Sequence, residues 1–370
     1  MKASTEKTYY AKRVNTLKRK LGQLGLDSFV SYNLKNVRYL TGFSGTSGAV
    51  VVTDTKAIFF TDFRYASQVK KQVTSMKIEI GPSLNLGIAE LLTKEKVGSI
   101  GYEGDHISVS SLSALKKEVN SKRKTKSALR WKSIHPIEEM RIIKDKLEMG
   151  LIEKNMEILS KVFEKAGEVL SPGISESDAA AQLELRLRLG GGEGKAFDFI
   201  VASGTRSALP HGVAGSKKIG KNDFVTLDWG CLLEGYHTDN TRNFSFGRPK
   251  PKIVELHRIV LEANRVAIEA VAPGVKLTDI DRAARSVIEK HRYGKFFGHG
   301  TGHGVGLDIH EAPTVSPRSK SVAKEGMVFT IEPGIYLPGI GGVRIEDMIL
   351  VTKTGCKLLS QNIPQELVRL

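Results

Sequence analysis

The sequence FGHGTGHGVGLDIHE at residues 297–311 sets His299, His303 and His310 among closely spaced glycines. Three of the chain's nine histidines therefore fall within twelve residues. Glycine permits tight turns and close backbone approach to a bound group, and imidazole serves as a metal ligand or an acid–base group. One histidine in such a loop would be explained by exposure to solvent. Three in this spacing favour a functional site, which needs partners from elsewhere in the chain.

Composition describes an ordinary globular protein with a basic surface. The chain has 370 residues, of which 40% are hydrophobic, so two domains with full cores are expected. The formal charge is +16 and the pI near 9.6. Basic residues are spread along the chain, and the dense cluster at 122–126 has no interleaved aromatic residues to stack on bases. A solubilising surface is favoured, and no nucleic-acid partner is predicted.

Cysteine usage and hydropathy predict a cytoplasmic protein. Cys231 and Cys356 lie far apart without CxxC or Cys/His spacing, which argues against a disulfide framework and a structural zinc. The N-terminal segment 1–20 is polar and Lys-rich, unlike a signal peptide, and no run of roughly eighteen apolar residues occurs. No membrane partner is expected.

Local patterns divide the chain into two domains. Helical spacing at 9–24 is followed by strand-like runs at 28–32, 49–53 and 57–61, and then by a helix, a strand and a helix. This alternation predicts a small α/β domain at residues 1–130. The remainder, 131–370, is the second domain, in which pairs of helices alternate with β hairpins, so its class is α+β.

Four acids lie in apolar, strand-like runs of the second half. Asp228 and Asp239 fall on consecutive strands, and Glu332 and Glu346 repeat the arrangement further on. A buried acid is costly unless it is paired or binds a cation. Singly, Asp239 could pair with Arg242 and Glu346 with Arg344.

Together, the four carboxylates favour a metal site. They would repel one another if they converged without a cation, and the histidines at 299–310 offer nitrogen ligands. An oxygen-rich set with one imidazole suits Mn, Fe, Co or Zn, and four acids suit two ions with bridging carboxylates. The H-E-x-x-H, G-x-S-x-G and P-loop patterns are absent from the sequence.

Five segments of the second half occur in a recognisable order. They are LDWG at 227–230, TDNTR at 238–242, GHGVGL at 302–307 followed by HE at 310–311, IEPG at 331–334 and VRIED at 343–347. They resemble the ligand segments of the pita-bread metallopeptidases, which include aminopeptidase P, prolidase and methionine aminopeptidase. The resemblance extends from about Ile137 onward. The first half resembles the creatinase-type N-terminal domain that aminopeptidase P and prolidase have.

The resemblance implies a dinuclear metal centre. Asp228 would chelate one ion, Asp239 and Glu346 would bridge both, and His303 and Glu332 would complete the second. Two Mn ions are expected, with Co, Fe or Zn as alternatives.

The resemblance also assigns substrate contacts. His310 matches a histidine that contacts the substrate or the tetrahedral intermediate, His211 the histidine near the scissile amide, and His299 one that lines the proline pocket. Tyr336 and Arg344 match supporting positions in substrate binding.

The implied activity is hydrolysis of an Xaa-Pro bond. A hydroxide bridging two ions would attack, and Glu332 would accept its proton and pass it to the leaving nitrogen. The segment DFRY at 62–65 resembles the Asp-Gly-Arg-Tyr of aminopeptidase P, with Phe63 in place of glycine. It favours aminopeptidase P, and prolidase, an Xaa-Pro dipeptidase, is the alternative.

The same fold includes two further alternatives. Creatinase lacks the ligand set and is disfavoured, and a non-catalytic binding module of the same fold is the remote alternative. A homodimer is expected from the resemblance.

Overall fold

The computed structural model of the protein describes residues 2–124 and 128–370. The chain forms two compact units, Met1–Arg141 and Ile142–Leu370, both of mixed helix and sheet. The sequence placed the division between residues 130 and 131, whereas the last strand and helix before Arg141 pack with the first unit. Of the basic cluster at 122–126, Thr125 and Lys126 lie outside the described residues.

Helices and strands alternate in the first unit. Its elements are α1 Lys2–Gln23, β1 Ser28–Ser31, α2 Leu34–Thr41, β2 Ala49–Thr53, β3 Ala57–Thr61, a 3₁₀ turn Phe63–Tyr65, α3 Ala66–Gln72, β4 Lys77–Ile80, α4 Leu84–Lys94, β5 Ser99–Tyr102, α5 Val109–Lys122, β6 Arg130–Ser133 and α6 Pro136–Arg141. The predicted strands at 49–53 and 57–61 are confirmed, and they pair as an antiparallel hairpin.

One sheet with strand order β4-β3-β2-β1-β5-β6 organises this unit. Strand β1 is antiparallel to β2 and parallel to β5, as expected of a small mixed α/β domain. Helices α4 and α5 bury Leu92 and Leu115 against this sheet. The sequence missed α2, a short helix that begins at the Asn33 side-chain cap and ends at Gly42, whose φ of 78° favours glycine.

The second unit contains more strands. Its helices are α7 Lys146–Glu164, α8 Ala166–Val169, α9 Glu176–Leu189, α10 Pro251–Glu269 and α11 Leu277–Lys290. Its strands are β7 Gly194–Lys195, β8 Ile200–Ser203, β9 Phe224–Trp229, β10 Cys231–Leu233, β11 Tyr236–His237, β12 Asn240–Ser245, β13 Gly302–Gly304, β14 Glu311–Val315, β15 Val328–Ile331, β16 Gly334–Leu337, β17 Gly341–Arg344, β18 Asp347–Val351, β19 Cys356–Leu358 and β20 Val368–Arg369.

Two sheets of the second unit position its acidic residues. One has the order β20-β12-β9-β8, and the other β14-β13-β15-β18-β19. An isolated antiparallel bridge joins Thr241 of β12 to Glu346, the residue that immediately precedes β18. Residue 346 is therefore the place where the two sheets meet.

The sequence predicts that the apolar runs at 327–334 and 343–350 are strands that pair across a loop at 335–342, and this pairing is confirmed with one correction. Strands β15 and β18 are antiparallel, with Ile331 opposite Asp347. The intervening segment is not a plain loop, because β16 and β17 form a hairpin of their own. The predicted continuous strand through residue 346 is therefore broken, and Glu346 lies between β17 and β18.

Helices α10 and α11 pack on this layer through their apolar faces. Leu256, Ile259 and Ala263 of α10 belong to one buried cluster with Phe329 and Ile349 of the sheet. Full burial of such a side chain stabilises the fold by about 1.5–3 kcal/mol.

The N-cap residue predicted from the sequence is confirmed for one helix of this unit and wrong for another. The sequence offers Ser175 or Ser177 as the cap of a helix at 175–188, and Ser175 is the N-cap of α9. The sequence predicts a helix at 278–292 with Thr278 as its cap, but α11 begins after Lys276 without a side-chain cap, so this cap is wrong. Within the described residues, no helix is both long enough and apolar enough to cross a membrane.

Candidate active site

All residues that the sequence assigned to the site line one cavity of about 490 Å³ in the second unit. They are Asp228, Asp239, His303, Glu332, Glu346, His211, His299, His310, Tyr336 and Arg344. The apolar part of the lining comes from Phe197, Ile200, Pro210, Val213 and Ile309. A cavity of this size with a few convergent polar groups is typical of a small-molecule or peptide site.

The acids reach the cavity from both sheets. Asp228 lies on β9, directly opposite Ile200 of β8, and Asp239 immediately precedes β12. Glu332 follows β15, and Glu346 lies at the bridge to Thr241. Two strand pairs distant in sequence thus place four carboxylates around one space.

A potential ligand set occupies the centre of the cavity. Asp239, His303 and Glu346 each offer one ligand atom, and these atoms lie within 4.8 Å of one another. The His303 Nε2 atom is 3.6 Å from Asp239 Oδ2 and 3.4 Å from Glu332 Oε1. Carboxylate oxygens with one imidazole suit Mn, Fe, Co or Zn.

Two buried oxygens support the fit of a cation. Asp228 Oδ1 and Glu346 Oε1 are buried without a hydrogen-bond partner among the described residues. The other oxygen of each carboxylate is engaged: Asp228 Oδ2 accepts from Arg344 Nη2 at 2.6 Å, and Glu346 Oε2 accepts from Thr241 Oγ1 at 2.8 Å. An unpaired buried oxygen costs about 1–3 kcal/mol, and a cation would relieve that cost.

The raised pKa values of the acids also favour a bound cation. Burial, followed by repulsion from Glu346, Asp228 and Glu332, raises the pKa of Asp239 well above its usual value. Burial and repulsion from Glu332 and Asp228 likewise raise the pKa of Glu346. Burial is also the main cause of the raised pKa of Glu332. The donor set therefore fits divalent cations, which would offset this repulsion.

Arg344 pairs with Asp228 rather than with its sequence neighbour Glu346. Its guanidinium also donates to Tyr336 Oη at 2.9 Å, to Pro210 O at 3.1 Å and to Thr241 Oγ1 at 3.1 Å. The pairing of Glu346 with Arg344 that the sequence suggested is therefore wrong. The suggested pairing of Asp239 with Arg242 is also wrong, because Arg242 pairs with Asp347 at 2.5 Å.

Hydrogen bonds fix the orientation of the His299 ring. Tyr336 Oη accepts from Arg344 and lies 3.0 Å from His299 Nε2, so its own proton points to that nitrogen. His299 Nδ1 lies 2.8 Å from Gly300 O, which makes Nδ1 the protonated nitrogen. Burial lowers the pKa of His299, in keeping with a neutral ring.

The other two histidines of the predicted site differ in exposure and contacts. His310 lies next to His303, with ring centroids 4.3 Å apart and an edge-to-face geometry. His211 is exposed on the segment after β8 and lines the cavity. Both are placed to reach a ligand in the cavity.

Glycines of strand β13 allow close contact between strands. A Cβ at Gly302 would lie 1.8 Å from Thr330 O, and a Cβ at Gly304 would lie 2.3 Å from Ala312 O. The sequence attributed these glycines to the approach of a substrate. The structure assigns them to the approach of neighbouring backbone, which lets His303 enter the site.

Sequence reasoning missed Asn264, which supports the site. Asn264 of α10 donates to Ile331 O at 3.0 Å and to Ile345 O at 3.2 Å, which immediately precede Glu332 and Glu346. Asn264 is fully buried. A polar residue on the apolar face of a predicted helix was the available signal.

The segment DFRY at 62–65 lies in the first unit. Asp62 and Arg64 form a salt bridge with each other at 2.8 Å, and the neighbouring Phe63 is exposed. Tyr65 Oη lies 2.6 Å from Thr46 Oγ1, so the segment makes these contacts within its own unit.

Comparison with known proteins agrees with this geometry. Residues 150–353 match the model of metallopeptidase family M24, and residues 13–143 match the creatinase/prolidase N-terminal domain. An Xaa-Pro dipeptidase of Pyrococcus horikoshii is 38% identical over 91% of this chain and 93% of its own.

Solved structures give the same result. An Xaa-Pro dipeptidase from Bacillus anthracis has a TM-score of 0.93 and 38% identity, covering 98% of this chain and 100% of its own. An X-Pro aminopeptidase from Thermotoga maritima has a TM-score of 0.87 and 34% identity, covering 95% and 100%. The predicted two-domain fold is thereby confirmed. This chain belongs to metallopeptidase family M24, with an N-terminal domain of the creatinase/prolidase type, and it is an enzyme of that family.

Proposed function

We propose that this protein is a metal-dependent Xaa-Pro dipeptidase. Two similar proteins, from Pyrococcus horikoshii and Bacillus anthracis, are named for that activity. The sequence segment at 62–65 had favoured aminopeptidase P, and the comparisons support the dipeptidase better. The observation that carries the proposal is the convergence of four carboxylates and His303 on one cavity, with two carboxylate oxygens left unpaired among the described residues.

Five residues would hold two divalent ions. They are Asp228, Asp239, His303, Glu332 and Glu346. When bound, such ions supply Lewis acidity and lower the pKa of a coordinated water. Mn is the expected metal, with Co, Fe or Zn as alternatives.

Proton transfer is assigned to Glu332. Glu332 Oε1 lies 3.4 Å from His303 Nε2 in the proposed ion site, where a carboxylate can accept and return a proton. Thr330 Oγ1 donates to Glu332 Oε1 at 3.3 Å, and the Glu332 N–H donates to Thr301 O at 2.7 Å, so the carboxylate is oriented. The proton would pass to the leaving proline nitrogen.

Substrate contacts are assigned to the histidines and to Tyr336. His299 and Tyr336 form one wall of the cavity and would contact the proline ring. His211 would lie near the scissile amide, and His310 would stabilise developing negative charge on the substrate oxygen. Arg344 orients both Asp228 and Tyr336.

Aminopeptidase P activity is the second candidate, for one specific reason. Among the described residues that line the cavity, Arg344 is the single lysine or arginine, and its guanidinium is bound to four partners. A dipeptide would bring the carboxylate of its proline into the cavity. A longer peptide would not, so the saturated Arg344 favours a longer substrate.

A comparison of a dipeptide with a tripeptide tests both candidates. Purified protein loaded with Mn, Co, Fe or Zn would be given an Xaa-Pro dipeptide and an Xaa-Pro-Xaa tripeptide. Faster turnover of the dipeptide supports the dipeptidase, and faster turnover of the tripeptide supports aminopeptidase P. Absence of cleavage of both with every metal, or activity retained by Asp239→Ala, would sink the proposal.

We also expect a homodimer, on the basis of the family resemblance. Light scattering at micromolar concentration measures this directly, and a monomeric mass contradicts it. A cytoplasmic location stays a prediction from the sequence.

A further inference from the structure

An ion pair on helix α11 holds the His-Gly loop, residues 297–301. Arg285 binds Asp281 in bidentate fashion, with Nε to Oδ2 at 3.0 Å and Nη2 to Oδ1 at 2.9 Å. Arg285 also donates from Nη1 to Phe297 O at 3.0 Å and from Nη2 to His299 O at 2.9 Å. One guanidinium thus fixes two carbonyl groups of the loop.

Asp281 binds the other end of the same loop. Its Oδ1 accepts from Thr301 Oγ1 at 2.8 Å and from Thr301 N at 3.2 Å. The carbonyl of Thr301 in turn accepts from the N–H of Glu332 at 2.7 Å. The Asp281 carboxylate is therefore two hydrogen bonds away from the backbone of the proposed proton acceptor.

Stacking connects Arg285 to the cavity wall. Its guanidinium lies over the Phe297 ring at 4.3 Å from the centroid. The Phe297 ring meets the His299 ring edge to face, with centroids 5.0 Å apart and an interplanar angle of 89°. His299 forms the wall with Tyr336. The position of this wall depends on Arg285 through both backbone and side chain.

We propose that Arg285 and Asp281 are positioning residues that set the proline selectivity and the turnover of the site through the His-Gly loop. Arg285 places His299 for contact with the proline ring, and Asp281, through Thr301, places Glu332 for proton transfer. This inference rests on the proposed Xaa-Pro activity. Neither residue lines the cavity, so neither touches the substrate.

A second ion pair on α11, between Arg282 and Asp279, serves as a control for the pair of Arg285 and Asp281. Arg282 binds Asp279 at 3.0 Å, and the two side chains are 71% and 44% exposed. An exposed pair of this kind contributes little to stability. The side chains of Arg285 and Asp281 are 20% and 2% exposed, and both bind the loop. The two pairs therefore serve as a matched test and control.

The test uses metal-loaded full-length protein and four variants. Arg285→Met keeps the apolar stem and removes the donors, Arg285→Lys retains one charged donor, Thr301→Val removes the hydroxyl that binds Asp281, and Arg282→Met is the control. Measurements are kcat and KM on an Xaa-Pro dipeptide, an Xaa-Pro-Xaa tripeptide and an Xaa-Ala dipeptide, together with Tm and metal content.

We expect substitutions at Arg285 and at Thr301 to affect different kinetic constants. Loss of charged hydrogen bonds in Arg285→Met raises KM for Xaa-Pro substrates about tenfold or more, lowers the preference for proline over alanine, and changes kcat less than about threefold. Thr301→Val lowers kcat about tenfold with a smaller change in KM. Arg285→Lys recovers part of the loss in KM, and Arg282→Met matches the wild type.

Several outcomes overturn the inference. Arg285→Met with KM and proline preference within twofold of the wild type does so, and so does a parallel fall of kcat, metal content and Tm without a change in proline preference. If Arg285→Met does not fold, Arg285→Lys and Thr301→Val decide by the same criteria. A wild-type protein that cleaves no Xaa-Pro peptide overturns the proposed function and the selectivity with it, whereas an active wild type with unaffected variants overturns the inference alone.

Discussion

Arg344 binds one carboxylate oxygen of Asp228 and leaves the other without a hydrogen-bond partner among the described residues. Arg344 Nη2 lies 2.6 Å from Asp228 Oδ2, whereas Oδ1 is buried without a hydrogen-bond partner in the described parts of the chain. Asp228 therefore has one oxygen for a cation and one that sets its orientation. Groups that orient metal ligands in this way are worth about 10–100-fold in metal affinity or activity.

Replacing Arg344 tests whether it orients Asp228 for metal binding. Arg344→Met removes the donor that holds Asp228 Oδ2 and leaves the carboxylate free to rotate. We expect metal affinity, measured by calorimetric titration of the metal-free protein, to fall about 10–100-fold, with a comparable loss of activity. Arg344→Lys should recover little, because an ammonium cannot replace the planar guanidinium at four partners. Unchanged metal affinity in both variants would contradict the orienting role.

Asn264 tests the backbone support of the two glutamates. Asn264→Leu keeps the branched shape of the side chain but removes the hydrogen bonds that the carbonyls of Ile331 and Ile345 accept from Asn264. We expect a loss of about 0.5–1.5 kcal/mol per hydrogen bond in unfolding free energy and a weaker metal affinity. Gln365→Met is the control, since Gln365 binds the Asn264 oxygen and leaves the donated bonds intact. Equal effects of the two variants would argue against this support.

Metal removal should make stability depend on pH. In the metal-free protein the pKa values of Asp239, Glu332 and Glu346 are raised, mainly by burial. The folded state then holds protons that the unfolded state releases, so the contribution of these groups is most favourable below about pH 4 and is lost as pH rises through the raised values.

A divalent cation replaces those protons, so its stabilising effect is larger at higher pH. We expect the rise in Tm on adding Mn to chelator-treated protein to be greater at pH 8 than at pH 5.5. A rise that is equal at the two pH values would show that the carboxylates are not the ligands.

His257 on α10 should contribute to acid sensitivity. Burial lowers the pKa of His257 to about 4, whereas the unfolded chain takes up this proton near pH 6.5. The contribution of neutral His257 is therefore fully present above pH 6.5 and is lost as pH falls towards 4, by about 3 kcal/mol in total. His257→Leu should flatten this part of the stability profile relative to the wild type. Parallel profiles between pH 4 and 6.5 would refute it.

Two glycines of the His-rich segment make a matched pair. A Cβ at Gly302 would lie 1.8 Å from a backbone oxygen, whereas a Cβ at Gly298 would have nothing within 4 Å. Gly302→Ala should destabilise the protein by about 3 kcal/mol or more, because the strand must move. Gly298→Ala should leave Tm within a few degrees of the wild type. Similar Tm values for the two variants would contradict the close packing of β13.

The sequence located the acids but not their partners. Asp228, Asp239, Glu332 and Glu346 stand out because an acid inside an apolar run is unusual, and this signal is local. The partners of Arg242 and Arg344 are more than a hundred residues away, so pairing with the nearest acid in sequence was the wrong expectation for both. Such partners depend on how the two sheets meet, which periodicity does not encode.

Helix ends illustrate the same limit on a smaller scale. Ser175 caps α9 from its own side chain, so the local pattern was sufficient. At the start of α11, the N–H of Leu277 donates to Ser321 O, and Thr278 is not used as a cap. A distant loop provides what a local side chain would otherwise provide.

The bridge between Thr241 and Glu346 has a consequence for the time course of folding. The two residues are 105 positions apart, and closing a long loop costs more chain entropy than forming the local hairpins on either side. We therefore expect the local hairpins to form first and the bridge to follow. Glu346 is part of the bridge and Asp239 lies two residues from its partner Thr241, so high-affinity metal uptake during refolding should coincide with a late long-range step.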